Sequence, residues 1–123
     1  MHRSRLAGFI IDCQTTDLDG AAQFWSQALG LPIRTDSDPD YRLLRNTAGD
    51  LHVEVQQVAH ASRVHLDIES DNIEAEAQRL EALGAKRVTA VKTWIVMEAP
   101  TGQRFCIVRP QSARFDVEAN HWN

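Results

Sequence analysis

Residues 63–69 read RVHLDIE. In an extended chain Val64, Leu66 and Ile68 take one side and His65, Asp67 and Glu69 the other. The same period of two runs through LHVEVQQV at 51–58, with Leu51, Val53 and Val55 opposite His52, Glu54 and Gln56. GFIIDCQ (8–14), YRLLRN (41–46), KRVTAV (86–91), WIVMEA (94–99) and RFCIVR (104–109) are further strand-like runs. Between them the period lengthens. In DLDGAAQFWSQALG (17–30), Ala21, Phe24, Trp25, Ala28 and Leu29 fall at helical spacing. Asp17 can cap the first free amides, Gly30 can take a left-handed C-cap, and Pro32 stops the helix. A second helix is predicted at about 71–83, with Gly84 as its cap. The acidic 35–40 segment predicts a loop, and TAGD and APTG predict turns. The tail, QSARFDVEANHWN, has no clear period, and its Phe115 and Trp122 are the residues able to dock it.

The two helical segments resemble each other. DLDGAAQFWSQALG and DNIEAEAQRLEALG each run fourteen residues from an Asp cap to a Gly stop, matching at Asp17/Asp71, Ala21/Ala75, Ala28/Ala82, Leu29/Leu83 and Gly30/Gly84. Each follows an Asp-bearing strand and precedes about three strand-like runs. The pattern predicts an α+β fold of two βαβββ modules. Their mixed sheet would curve around a cleft, with helices on its outer face. Module 1 spans about 8–58, module 2 about 63–110, and a tail 111–123 completes a single domain.

Alternation sorts the strands. Ile11, Cys13, Leu51, Val53, Val55, Val64, Leu66, Ile68, Phe105 and Ile107 are expected to face the helices. Asp12, Gln14, His52, Glu54, Gln56, His65, Asp67, Glu69, Arg104 and Cys106 are expected on the other side. Four strands thus bring polar or ionisable groups to one surface.

Composition narrows the partners. The 123 residues are 43% hydrophobic, enough for an unstapled core, and the formal charge of −4 offers no basic footprint for nucleic acid. No run of about 18 apolar residues suggests a membrane span. Asp12 interrupts the apolar stretch after the basic N-terminus, which does not read as a signal peptide. Cys13 and Cys106 read as reduced thiols of a cytoplasmic protein, and a disulfide between them stays open.

The segments IIDCQTTDLDGAAQFWSQALGL, VHLDIESDNIEAEAQRLEALGAKRV and WIVMEAPTGQRFCIV resemble the vicinal oxygen chelate superfamily, in particular its glyoxalase-like and bleomycin-resistance-type domains. The resemblance spans about residues 8 to 110, and rests most on the FW…LGL helix end and the P-x-G-x-x-F-C turn. It implies a small-molecule ligand and a homodimer. Metal-dependent relatives hold a divalent ion with one residue on each of four strands. The second and third positions map to Glu54 and His65. The first maps to Ile10, which cannot ligate, and the last to Cys106, where relatives carry Glu.

The resemblance therefore implies a polar cleft that binds a small molecule without the full metal set. The alternative it implies is a metal-dependent lyase, isomerase or dioxygenase using Glu54 as ligand or base and His65 as ligand around one divalent ion. Asp12, His52, Asp67, Trp94, Arg104 and Cys106 are the further cleft candidates. Asp12 and Asp67 can share a proton, or simply anchor the turns that follow them. Cys106 can be a thiolate beside Arg104, or a small apolar filler. Glu74, Glu76, Arg79 and Glu81 read as a solvated helix face.

Overall fold

A computed structural model describes residues 1–34, 38–45 and 47–123. The predicted 35–40 loop lies partly outside the described residues, as does Asn46, the last residue of the predicted strand 41–46. The chain divides into two units, residues 8–64, and residues 1–7 with 65–123. Strand β1 (His2–Gln14) contributes to both, beginning six residues before the predicted strand.

In the unit 8–64, α1 (Leu18–Leu29) starts where Asp17 Oδ1 accepts from the Gly20 amide and ends at Gly30, φ 69°. β2 (Tyr41–Leu44) and β3 (His52–Val58) follow. β3 runs parallel to β1 and antiparallel to β2. Leu18 and Ala22 of α1 pack on Leu44 and Val55, ringed by Cys13, Trp25, Ile33 and Val53, so the alternation assigned these strand residues to the correct side. Phe24 departs from this stripe and is exposed. Where about three strands were expected after α1, the described residues hold two, and Ile33 makes an isolated bridge with Leu44. Gly8 is fixed by space. A β-carbon there would lie 1.9 Å from the His52 carbonyl oxygen, so only glycine lets β1 approach β3 at this register.

The other unit repeats the order more fully. β4 (Arg63–Ser70), which begins just before it, leads to α2 (Ile73–Ala82) and then β5 (Lys86–Val91), β6 (Trp94–Glu98) and β7 (Arg104–Val108). β7 lies between β4, to which it is parallel, and β6, while β5 borders β6. Ala77, Met97 and Ile107 form the core with Ile73, Leu80, Ile95 and Phe105. Leu66 is paired with Phe105 and shares its side of the sheet, but it is exposed, because α2 lies over β5, β6 and β7.

Two expectations need correction here. The cap of α2 is Asn72, whose side chain accepts from the Ala75 amide. Asp71 instead accepts from the backbone and guanidinium of Arg3. Glu76 is not on a solvated face. It is 0% exposed and accepts from Ser4, Arg79 and His2. The tail docks through the two residues expected to hold it: α3 (Phe115–Glu118) buries Phe115, and β8 (Asn120–Trp122) pairs antiparallel with the start of β1. Among the described residues no helix is long and apolar enough to cross a membrane.

Candidate functional site

β4 and β7 are parallel neighbours, and their register places Asp67 beside Cys106. His65 precedes Asp67 by two residues and therefore shares its face, the one opposite α2. One ligating atom from each of His65, Asp67 and Cys106 lies within 4.8 Å of the others. The His65 Nε2 to Asp67 Oδ1 distance is 3.5 Å, and the two side chains are only 13% and 9% exposed. Asp67 Oδ1 is buried and has no hydrogen-bond partner among the described residues. A buried carboxylate oxygen without a donor is costly, so its retention calls for a reason. The expectation of an Asp67 that anchors the following turn finds no such bond at Oδ1. That anchoring work falls to Ser70 and Asn72: the Ser70 hydroxyl donates to the Arg3 and Asn72 carbonyls, and Asn72 caps α2.

The face continues across the unit. Val96 pairs with Cys106, Glu98 with Arg104, and Trp94 with Val91. Arg104 Nε donates to Glu98 Oε1 at 3.2 Å, so its charge is met locally. Trp94 and Val96 supply half-buried apolar surface on the same side as the His65–Asp67–Cys106 group. Glu69, expected here, is used otherwise. It is 0% exposed, and its Oε1 accepts the amides of Gln111 and Ser112, which ties down the start of the tail.

The remaining candidates belong to the unit 8–64. Glu54 is half-buried on β3 and its register neighbours are Ile10 and Leu43. An aliphatic side chain thus stands next to Glu54, at the position the resemblance maps to the first metal ligand. His52 Nε2 is buried without a hydrogen-bond partner among the described residues. Asp12 is buried, with Oδ2 at 3.7 Å from Arg63 Nε and 4.0 Å from His60 Nε2. The sequence reading missed these two basic neighbours, although HASR at 60–63 places both just ahead of β4. Burial pushes the Cys13 thiol up, consistent with an inert core cysteine. A concavity of about 500 Å³ lined by Gln14, Thr15, Thr16, Gln57, Val58 and Ala59 also lies in this unit. Its lining is mostly neutral, and Gln14 already donates to the Ala59 carbonyl there. It offers no acid, base or nucleophile.

His65, Asp67 and Cys106 supply nitrogen, oxygen and sulfur donors, and the unmet Asp67 oxygen fits a bound cation or donor. On chemistry the group therefore accommodates a divalent ion.

Comparison with known proteins agrees with this architecture. A family model described as Glyoxalase-like domain matches residues 8–108. No curated protein matches the sequence. A hypothetical protein of Bacillus halodurans has a similar structure, with a TM-score of 0.61 at 13% identity over 89% of this chain and 97% of that one. The Mn(II)-bound glyoxalase of Novosphingobium aromaticivorans gives 0.60 at 18% identity over 93% of this chain and 44% of the other. An extradiol ring-cleaving dioxygenase from B. fuscum gives 0.57 at 15% identity, covering 91% and 36%. This chain spans less than half of those two enzymes. At such identities the likeness is one of fold.

Proposed function

Because the chain belongs to the glyoxalase-like domain family, we propose that it binds a small molecule through the β4–β7 face that carries His65, Asp67 and Cys106. The observation that carries this reading is the buried Asp67 Oδ1, left without a hydrogen bond beside a largely buried imidazole and a half-buried thiol. A ligand hydroxyl or amine, or a cation, would satisfy it. Buried polar atoms without a partner are uncommon in folded proteins, and each calls for an explanation.

In this reading each group has a role. Asp67 accepts from, or neutralises, the polar head of the ligand. His65 orients that head and can hold a proton at Nε2. Trp94 and Val96 give an apolar wall for the rest of it. The full four-ligand set of metal-dependent relatives is not available, since Ile10 cannot ligate. The Mn(II)-bound glyoxalase among the structural neighbours supports a place for a divalent ion in this fold. Here His65, Asp67 and Cys106 are the residues that would hold one, and such an ion would polarise a ligand oxygen.

The test is equilibrium binding by calorimetry and thermal shift with small 2-hydroxy acids, 2-oxo acids and catechols. Wild type is compared with Asp67→Ala. At least one class is expected to bind, with affinity falling about tenfold or more in the variant, as expected for loss of a charge-assisted hydrogen bond. Binding indifferent to Asp67→Ala, or no binding by any class, would reject the assignment.

A further inference from the structure

The position of Cys106 changes what kind of ion this face would accept. Four observations bear on it. The register of β4 and β7 sets Cys106 directly beside Asp67. The ligating atoms of His65, Asp67 and Cys106 all lie within 4.8 Å of one another. Asp67 is nine-tenths buried with Oδ1 unmet. Cys106 is a free thiol.

We propose that His65, Asp67 and Cys106 form a three-ligand site for a thiophilic divalent ion of the Zn²⁺ and Co²⁺ class, with Cys106 as a ligand, rather than for Mn²⁺. This rests on the reading of the same face as the ligand site. Ideal tetrahedral coordination at zinc distances separates nitrogen and oxygen ligands by about 3.4 Å, and either of them from sulfur by about 3.6 Å. The His65–Asp67 separation of 3.5 Å already matches the first figure. The separations to sulfur, bounded by 4.8 Å, close with a shift of about an ångström or less, within reach of a χ1 rotation at Cys106.

Imidazole, carboxylate and thiolate are all zinc ligands, and catalytic zinc sites pair three protein ligands with a fourth position open for water or ligand. Sulfur is the discriminating donor. Hard Mn²⁺ and Mg²⁺ favour all-oxygen or oxygen-rich shells, and thiolate moves the preference toward Zn²⁺ and Co²⁺. The fourth position would open toward Trp94 and Val96, the apolar wall assigned to the ligand. The ion and the small molecule would then occupy adjoining parts of one site.

The test is optical titration of the full chain, stripped with chelator, with Co²⁺ alone. The expected result is one Co²⁺ per chain, with a near-ultraviolet thiolate-to-cobalt charge-transfer band. That band should vanish in Cys106→Ser and persist in Cys13→Ser, while circular dichroism confirms that both variants fold. Zn²⁺ should displace the Co²⁺, and Mn²⁺ should compete at least about 100-fold less well. Co²⁺ bound without the band, or a band indifferent to Cys106→Ser, would overturn the proposal yet leave the small-molecule reading standing on its own binding test. Absence of any Co²⁺ binding would also overturn it. If the panel of organic ligands binds in that case, the face is a metal-free site. If neither binds, both readings fail together.

Discussion

Nε2 of His2 lies 2.7 Å from Oε1 of Glu76, across 74 residues of sequence, with both side chains buried. Ser4 donates to the other carboxylate oxygen at 2.7 Å, and Arg79 donates to both. One carboxylate thereby joins the first strand to α2. Glu76→Ala would strip three donors of their acceptor at once. Breaking a buried pair from one side is expected to cost about 3 kcal/mol, read as a lower urea midpoint at unchanged slope. Glu76→Gln keeps the shape and should cost less.

The same carboxylate gives a pH signature. Burial alone would push Glu76 up, but the hydrogen bonds from Arg79, His2 and Ser4 outweigh it and hold the carboxyl below its ordinary value. A depressed folded value means the contribution is fully present above the unfolded value of about 4.3, and is lost as pH falls through the folded one. Asp71, held down by hydrogen bonds from Arg3 against its own partial burial, acts in the same sense. Stability of the wild type should therefore fall between about pH 5 and pH 3, and the fall should be shallower in Glu76→Gln. Urea unfolding at stepped pH measures both slopes.

The tail closes over this network. Trp122 Nε1 donates to Ser4 Oγ at 2.8 Å, and the Arg79 guanidinium carbon sits 3.9 Å from the centre of the indole. Trp122→Ala should cost about 2 kcal/mol, and Trp122→Phe about half of that, because the phenyl ring keeps part of the cation–π contact and loses the hydrogen bond. Thermal unfolding of both variants checks the order. Equal stability of Trp122→Ala and wild type would show that the tail contributes nothing.

Gly8→Ala probes the close approach of β1 and β3. The new methyl would be driven into the His52 carbonyl, which is backbone and cannot rotate away. The strands must separate locally, at a cost of about 2 kcal/mol. Amide exchange should quicken at the paired β1–β3 amides, Gly8 to Ile11 against His52 to Val55, more than in β6 and β7.

Strands such as β3 and β7 and the helices α1 and α2 were legible because period two and period 3.6 are imposed by burial on one side, and Val53, Val55, Phe105 and Ile107 obey it. Residues 2–7 were not, since their strand is held by partners far away in sequence, such as Asp71 on Arg3 and Trp122 opposite His2. Glu76 misled for a related reason. A charge on a helix reads as solvated until its partners are known, and here they come from β1. Asp71 took a partner instead of a cap, which left Asn72 to do the capping. At the site, alternation placed His65, Asp67 and Cys106 on one face. It could not show that β4 and β7 are adjacent and in register, and that adjacency is what turns three polar residues into a group. Glu69 obeyed the alternation too, yet was claimed by the tail amides.

Asp67 offers the last and sharpest check on whether the β4–β7 face is built for binding. If its carboxylate served the fold, removing it would lower stability. Its Oδ1 is buried without a hydrogen bond, and the nearest basic atom, His65 Nε2, is 3.5 Å away. Desolvating that oxygen costs more than this contact returns. Asp67→Asn keeps the volume and removes the charge, so the ligand-free protein should gain about 1 kcal/mol and melt a few degrees higher. The same substitution should abolish the stabilisation that a bound ligand or ion confers on wild type. A gain without ligand together with a loss with it is the mark of a group kept for binding at the expense of the fold. A lower melting temperature for ligand-free Asp67→Asn would show instead that the carboxylate is a structural element.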